Sequence, residues 1–152
     1  MTDDKKIDYI LRTVEERDIR YLRLCFTDVQ GNLKALSISP EELEEAFVEG
    51  IGFDGSAVEG FASHEQSDLL AFPDVATFQV LPWENDGETV ANVFCDIQTP
   101  SREPFEGDPR RVLERAFMKA DEKGYAMNVG PKLEYFYFTD SVHPTPIDHA
   151  GY

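Results

Sequence analysis

Two charged residues lie two positions apart in an aromatic-rich segment of the sequence. Residues 126–138 are predicted to form one long strand, in which side chains alternate between two faces. Lys132 and Glu134 then share a face with Phe136 and Phe138, and their positions are about 6.5–7 Å apart along the strand. Such a pair has two interpretations. It is a cross-strand salt bridge at a sheet edge, or it presents a carboxylate ligand or base to a cleft.

A second candidate carboxylate lies in the glycine-rich stretch at residues 50–62, which has neither helical nor strand periodicity and is predicted to be a mobile loop. Asp54 stands between Gly52 and Gly55 and is followed by Ser56. In one interpretation Asp54 forms an Asx-turn with its own backbone. In the other it is a catalytic carboxylate on a flap, where the glycines absorb the hinge motion.

The remaining reactive side chains suggest no site of their own. Three histidines have no mutual metal-ligand spacing: His64, His143 and His149. Cys25 and Cys95 lie in strand patterns without nearby basic residues, and we expect buried, inert thiols. The glycines at 50–55 are not followed by a phosphate-binding Lys-Ser/Thr, so a phosphate cradle is disfavoured.

The elements that position these residues begin with an amphipathic helix over residues 4–17 and a β-hairpin over 20–38. A helix begins at Ser39-Pro40, where Glu42 completes a capping-box pattern. Two further strands are predicted at 77–81 and 88–97, joined by a polar turn through Asn85-Asp86-Gly87. These elements indicate an α+β fold with a mixed or antiparallel sheet packed by helices.

A proline-containing segment at 99–107 indicates a linker or domain boundary, and Asp108-Pro109 begins another helix. One helix and one strand cannot cover both faces of the strand at 126–138. We therefore expect that sheet to be completed by another chain, or this chain to be a piece of something longer.

Composition limits the partners. The chain has 152 residues and a formal net charge of −16, which disfavours nucleic-acid and anionic membrane surfaces. No stretch approaches the roughly 18 apolar residues of a membrane helix, and the first residues lack the apolar region of a secretory signal. With only two cysteines, the expected location is the cytoplasm.

Several short segments follow one another in a recognisable order. They are Phe53-Asp54-Gly55-Ser56, Glu59-Gly60-Phe61, Ser67-Asp68, Pro73-Asp74, Thr77-Phe78, Leu81-Pro82-Trp83, Pro104-Phe105-Glu106-Gly107-Asp108-Pro109-Arg110, Gly130-Pro131 and Glu134-Tyr135-Phe136. Together these segments make the chain resemble glutamine synthetase of prokaryotic type I. The resemblance implies a β-grasp-like N-terminal domain over residues 1–103 and the start of a catalytic domain over 104–152.

It also implies an activity. The family condenses glutamate with ammonia through γ-glutamyl phosphate, using ATP and Mg²⁺ or Mn²⁺, and assembles as a homo-oligomer, commonly a dodecamer, whose active sites are shared between neighbours. By resemblance, Asp54 binds ammonium and takes its proton, Ser56 accompanies it, and Glu134 is a metal ligand.

Two positions depart from the family pattern. Lys132 stands where the family has the first of two metal-binding glutamates, so that metal site is in doubt. Ser63 stands where many relatives have an arginine that takes part in glutamine feedback.

Because most of the catalytic domain would lie beyond residue 152, we expect this chain to be inactive alone and to bind ATP and metal poorly. Two alternatives remain: a γ-glutamyl-amine ligase with another amine, and a non-catalytic short paralogue that regulates or caps full-length rings.

Overall fold

The computed structural model describes residues 3–59, 68–83 and 87–147. Four helices and six strands follow one another within these three ranges. They are α1 (Asp3–Glu16), β1 (Ile19–Thr27), β2 (Leu33–Ile38), α2 (Leu43–Glu49), β3 (Ile51–Asp54), α3 (Ser56–Glu59), β4 (Asp68–Pro73), β5 (Gln79–Val80), β6 (Thr89–Gln98) and α4 (Pro109–Asp121).

The predicted first helix and hairpin are confirmed. Strands β1 and β2 pair antiparallel, with Leu22 opposite Ile38 and Thr27 opposite Leu33. The turn between them contains Gly31 with a φ of +83°, a conformation that glycine adopts at little cost. The Asp28 carboxylate accepts hydrogen bonds from the backbone N–H groups of residues 30 and 32, and these bonds stabilise the turn.

The helix predicted from Ser39 begins with a 3₁₀ turn at Pro40–Glu42 and continues as α2. Ser39 N–H donates to the Glu42 carboxylate at 2.8 Å, as a capping box requires. Gly50 ends the helix with a φ of +72°, and its N–H donates to the carbonyl of Ala46 at 3.0 Å.

The prediction of a mobile loop over residues 50–62 is wrong for its described part. Residues 51–54 form β3, which pairs antiparallel with β4, and residues 56–59 form one helical turn. Ile51 and Phe53 alternate with two exposed residues, but glycines obscured this period. The strand β4 begins at Asp68. Residues 60–62 and the turn positions 85–86 lie outside the described residues.

The sheet was predicted to be mixed or antiparallel, and it is mixed, with the strand order β2-β1-β6-β4-β3. Strand β6 is its centre, because it pairs parallel with β1 and antiparallel with both β4 and β5. One face of the sheet carries the hydrophobic core, into which α1 contributes Ile10 and α2 contributes Leu43. Burying this apolar face is the main stabilisation of the fold.

The segment at 99–107, predicted as a linker, folds back on β6. Gln98 forms a β-bridge with Pro104, and Phe105 N–H donates to the Ile97 carbonyl at 2.9 Å. Asp108 is 2% exposed and accepts from Ile97 N–H at 3.0 Å and from Arg110 N–H at 2.9 Å. It thereby caps α4 and joins it to the sheet.

The long strand predicted at 126–138 is not formed. A strand needs a partner for its backbone groups, and the described residues supply only an isolated bridge between Phe138 and Pro146. The apolar stripe of α4 is likewise uncovered, because none of that helix's residues is buried. Large apolar side chains are exposed along both segments, and six of them are Val112, Leu113, Leu133, Tyr135, Phe136 and Tyr137.

No helix in the three described ranges is long and apolar enough to cross a membrane.

Candidate functional site

Asp54 lies at the end of β3, at a position fixed by its neighbours. Phe53 packs against Phe26 of β1, with ring centroids 4.9 Å apart. Phe53 also contacts the core cluster, while Asp54 is exposed. The alternation of a strand therefore turns the partly buried phenylalanine toward the core and presents the carboxylate to solvent.

The helical turn after Asp54 is anchored as well. Val58 is fully buried, and its carbonyl accepts a hydrogen bond from Val29 N–H at 3.0 Å. Val58 N–H donates in turn to the carbonyl of Gly55, which is itself buried. These contacts connect residues 55–58 to the β1–β2 turn, so Asp54 stands on a packed segment and not on a flap.

The Asp54 carboxylate forms the Asx-turn that the sequence suggested. Its Oδ1 accepts from Ser56 N–H at 2.9 Å. The backbone N–H of Ser56, and secondarily its hydroxyl, hold the pKa of Asp54 below its ordinary value by donating to the charged form. Asp54 is therefore an exposed, oriented anion near neutral pH, suited to attracting a cation.

Asp68 lies directly opposite Asp54 in the β3–β4 ladder, and both residues are exposed. Directly opposed side chains on one face lie close together, and like charges there are mutually unfavourable. Two carboxylates thus concentrate negative charge at this end of the sheet. This relationship was not predicted from the sequence, because β4 was not predicted. The apolar run at residues 69–72 was a signal for that strand.

Lys132 and Glu134 form an ion pair, with Lys132 Nζ 2.7 Å from Glu134 Oε1. The lysine side chain is 74% exposed and the glutamate side chain 68%. Neither residue belongs to a helix or a strand. The cross-strand salt bridge of the first interpretation is therefore not formed among the described residues, because Lys132 and Glu134 pair with each other instead.

Among the described residues, no hydrogen bond or ion pair joins Asp54 or Ser56 to Lys132 or Glu134. The same ranges contain no group of three or more His, Cys, Asp or Glu that could hold a metal ion. Beside Glu134 the nearest charged partner is an ammonium, which has no lone pair to offer a metal. The residues present around Glu134 therefore do not fit a divalent metal.

The cysteines are buried, as predicted, and free. Burial raises the pKa of the Cys25 thiol and of the Cys95 thiol, so both favour the unreactive protonated form. His143 is exposed, and its Nδ1 lies 3.5 Å from Asp140 Oδ1. Three residues of the sequence hypotheses, Ser63, His64 and His149, lie outside the described residues.

Comparisons with known proteins place this geometry in a family. The family model described as glutamine synthetase, beta-Grasp domain, matches residues 18–100. A glutamine synthetase of Mycobacterium bovis is 50% identical over 155 aligned residues, which cover 98% of this chain and 35% of that protein. The chain spans about a third of the length of such curated relatives.

Two solved structures share the fold of this chain. The GmaS/ADP complex is 28% identical, with a TM-score of 0.65 over 74% of this chain and 25% of that chain. Glutamine synthetase of Plasmodium falciparum, at 21% identity, shares the fold, with a TM-score of 0.69 over 82% of this chain and 23% of that chain. The β-grasp match over residues 18–100 decides the assignment: the chain belongs to the glutamine synthetase family.

Proposed function

We propose that this chain supplies the N-terminal part of a glutamine synthetase-like ligase, which joins glutamate and ammonia through γ-glutamyl phosphate at the expense of ATP. The observation that carries the proposal is Asp54, an exposed anion held at the end of β3 in a β-grasp domain of this family. The assignment of Asp54 and Ser56 to the reaction is part of the proposal.

Asp54 has two tasks in this reaction. Its negative charge, reinforced by Asp68 opposite, attracts an ammonium ion to the end of the β3–β4 pair. A carboxylate oxygen accepts a proton from the bound ammonium, which frees the lone pair of the nitrogen. The nitrogen then bonds to the γ-carbonyl carbon of γ-glutamyl phosphate as the bond from that carbon to the phosphate oxygen breaks, and phosphate leaves with the further proton that the new amide nitrogen releases. Ser56 orients the carboxylate through its N–H, so little reorganisation is needed when ammonium binds.

We further propose that Asp54 serves an active site completed by protein outside this chain, in a homo-oligomer that is a dodecamer in the family. The uncovered apolar surface of α4 and residues 125–147 supports this proposal, because large exposed apolar patches mark interaction surfaces. Without that partner surface we expect no ligase activity from the 152 residues alone.

ATP and Mg²⁺ or Mn²⁺ belong to the proposed activity of the complete enzyme, in which the metal would neutralise charge on the phosphates. The GmaS structure contains ADP, which supports nucleotide use by relatives. The surroundings of Glu134 in this chain do not fit a metal, so the proposed mechanism depends on Asp54 and Ser56 and not on a metal ion at Glu134. We propose the cytoplasm as the location.

A graft tests the proposal. Residues 1–103 of this chain replace the corresponding segment of the Mycobacterium bovis enzyme, which is 50% identical. We expect the hybrid to form glutamine from glutamate, ammonia and ATP. The graft omits Lys132, so its outcome depends on the β-grasp domain and Asp54.

The Asp54→Asn hybrid is the test variant, and Asp8→Asn in the same hybrid is the control, at an exposed carboxylate in α1. A hybrid that assembles but retains full activity with Asp54→Asn contradicts the proposed role of Asp54. An inactive but correctly assembled parent hybrid contradicts the proposed function of the domain.

The Lys132–Glu134 pair favours a second group of functions. A lysine at a family metal position is compatible with a γ-glutamyl-amine ligase or with a non-catalytic paralogue that regulates full-length rings. A hybrid carrying residues 1–152 separates these two. Product formation with alkylamines in place of ammonia supports the first, and assembly without ligase activity supports the second.

A further inference from the structure

The ion pair at residues 132 and 134 joins two side chains that are close in sequence. The ammonium of Lys132 lies 2.7 Å from a carboxylate oxygen of Glu134, although both side chains are largely exposed. Neither side chain has another ion-pair partner among the described residues. The lysine therefore neutralises the glutamate locally, without help from the rest of the fold.

We infer that Lys132 is a built-in counter-ion of Glu134 and occupies the place of a divalent cation. The inference rests on the proposed function, because that proposal identifies Glu134 as a site residue. It differs from that proposal in what the site contains. A site with this lysine holds one fewer metal ion, and its charge is supplied by the chain.

Three physical arguments support the inference. A lysine ammonium has three donors and no acceptor, so it bonds to the carboxylate oxygen but contributes no ligand to a metal. Its positive charge would also lie only a few ångströms from a dication held at the same carboxylate, so the two cations would repel each other. Because the lysine is covalently tethered beside Glu134, it competes with dissolved cations at a high effective concentration.

The chain carries 30 acidic residues, so bulk metal titration would report many weak sites. We therefore choose a residue-resolved probe, the paramagnetic broadening by Mn²⁺ of backbone amide NMR signals in the 152-residue chain. The signals of residues 130–136 report binding at Glu134. No ligase activity is needed, so this result is independent of the graft experiment.

The wild-type chain is compared with Lys132→Glu and with the neutral Lys132→Gln. We expect residues 130–136 of wild type to broaden no more than other exposed acidic segments. In Lys132→Glu we expect the Mn²⁺ concentration for half-broadening to fall by at least about tenfold, because repulsion is replaced by attraction. Lys132→Gln should lie between them. Raising the ionic strength should reduce the contrast.

Lys5→Glu is the matched control, because it makes the same change in net charge at an exposed lysine in α1. We expect it to leave residues 130–136 unaffected. Equal broadening of those residues in wild type and Lys132→Glu overturns the inference. Failure of both Lys132 variants to bind Mn²⁺ more tightly than wild type overturns it equally. Unchanged amide positions in β1 and β6 confirm that each variant is folded.

Discussion

Arg110 and Asp74 are bonded across 36 positions of the chain, with Arg110 Nη2 2.9 Å from Asp74 Oδ2. The Nε of the same guanidinium lies 3.1 Å from Asp96 Oδ1. One side chain from the first turn of α4 thus binds two acidic residues, one just after β4 and one within β6. A guanidinium suits this position because its planar fork can serve two acceptors.

Replacing this guanidinium should weaken the attachment of α4. We expect Arg110→Met to lower the free energy of unfolding by about 1–2 kcal/mol, since two carboxylates lose their shared partner and the pair is partly exposed. Urea denaturation provides the measurement. Lys119→Met, at an exposed position of the same helix, should change stability by less than about 0.5 kcal/mol. Equal effects of the two substitutions would refute the bridging role of Arg110.

Gly50 should be intolerant of any side chain. Its φ is +72°, and a Cβ built there would lie 2.8 Å from a carbon of the Phe72 ring. We expect Gly50→Ala to cost about 2–3 kcal/mol, because backbone strain and the ring contact act together.

Gly52 offers a matched comparison two residues away. Nothing lies within 4 Å of a Cβ built there. Gly52→Ala should therefore be neutral or slightly stabilising, through a smaller unfolded-state entropy. The thermal midpoints of the two variants can be compared directly, and similar losses at both glycines would contradict the packing explanation.

Asp28 should make the fold sensitive to acid. The Asn32 side-chain amide and the backbone N–H groups of Gln30 and Asn32 hold the pKa of Asp28 below its ordinary value. Between the lowered folded pKa and the ordinary unfolded one, the unfolded state binds more protons. The stability that the charged Asp28 contributes is therefore fully present above the unfolded pKa, and it is lost as the pH falls through the folded pKa. Urea midpoints measured from pH 6 to pH 2.5 should fall less steeply in Asp28→Asn than in wild type.

Asp96 provides a comparison of opposite sign, because burial raises its pKa even though the Arg110 guanidinium acts against that rise. In this case the folded state binds more protons, so stability falls as pH rises through the window between the two pKa values. Asp96→Asn should therefore make stability fall more steeply as the pH is lowered, whereas Asp28→Asn should make it fall less steeply. Parallel pH curves for the two variants would exclude this explanation.

Asp54→Asn should separate activity from stability in the grafted enzyme. The exposed asparagine can still accept from Ser56 N–H through its side-chain oxygen, so the thermal midpoint should stay unchanged. Loss of the charge and of the proton acceptor should lower the rate of glutamine formation about 100-fold. Ser56→Ala retains the backbone donor and should lose much less, and a larger loss in Ser56→Ala would argue against the assigned roles.

Local signals were enough to predict much of the fold. The alternation of Leu22, Leu24 and Phe26 predicted β1, and the glycine turn after it predicted the hairpin. At Ser39-Pro40 and Asp108-Pro109, a capping residue followed by proline predicted both helix starts, because end groups and φ preferences act within one turn.

Where pairing depends on a distant strand, the sequence was less informative. Strand β3 was missed because glycine at position 52 breaks its alternation, yet Phe53 packs on Phe26 and β4 supplies the hydrogen bonds. The opposite error occurred at residues 126–138, where a strand-like composition has no partner within the described chain. Asp54 could be proposed from resemblance, but its Asp68 neighbour required the β3–β4 register.

The parallel pairing of β1 with β6 has a consequence for biosynthesis. The strand that joins the β1–β2 hairpin to the β3–β4 pair is the last of the sheet to be translated. A nascent chain whose residues 89–98 are still inside the ribosome tunnel carries two separate pieces of sheet with exposed edges. Contacts so distant in sequence also close slowly. The interval before β6 emerges is therefore when this domain is most open to misassociation and most in need of chaperones.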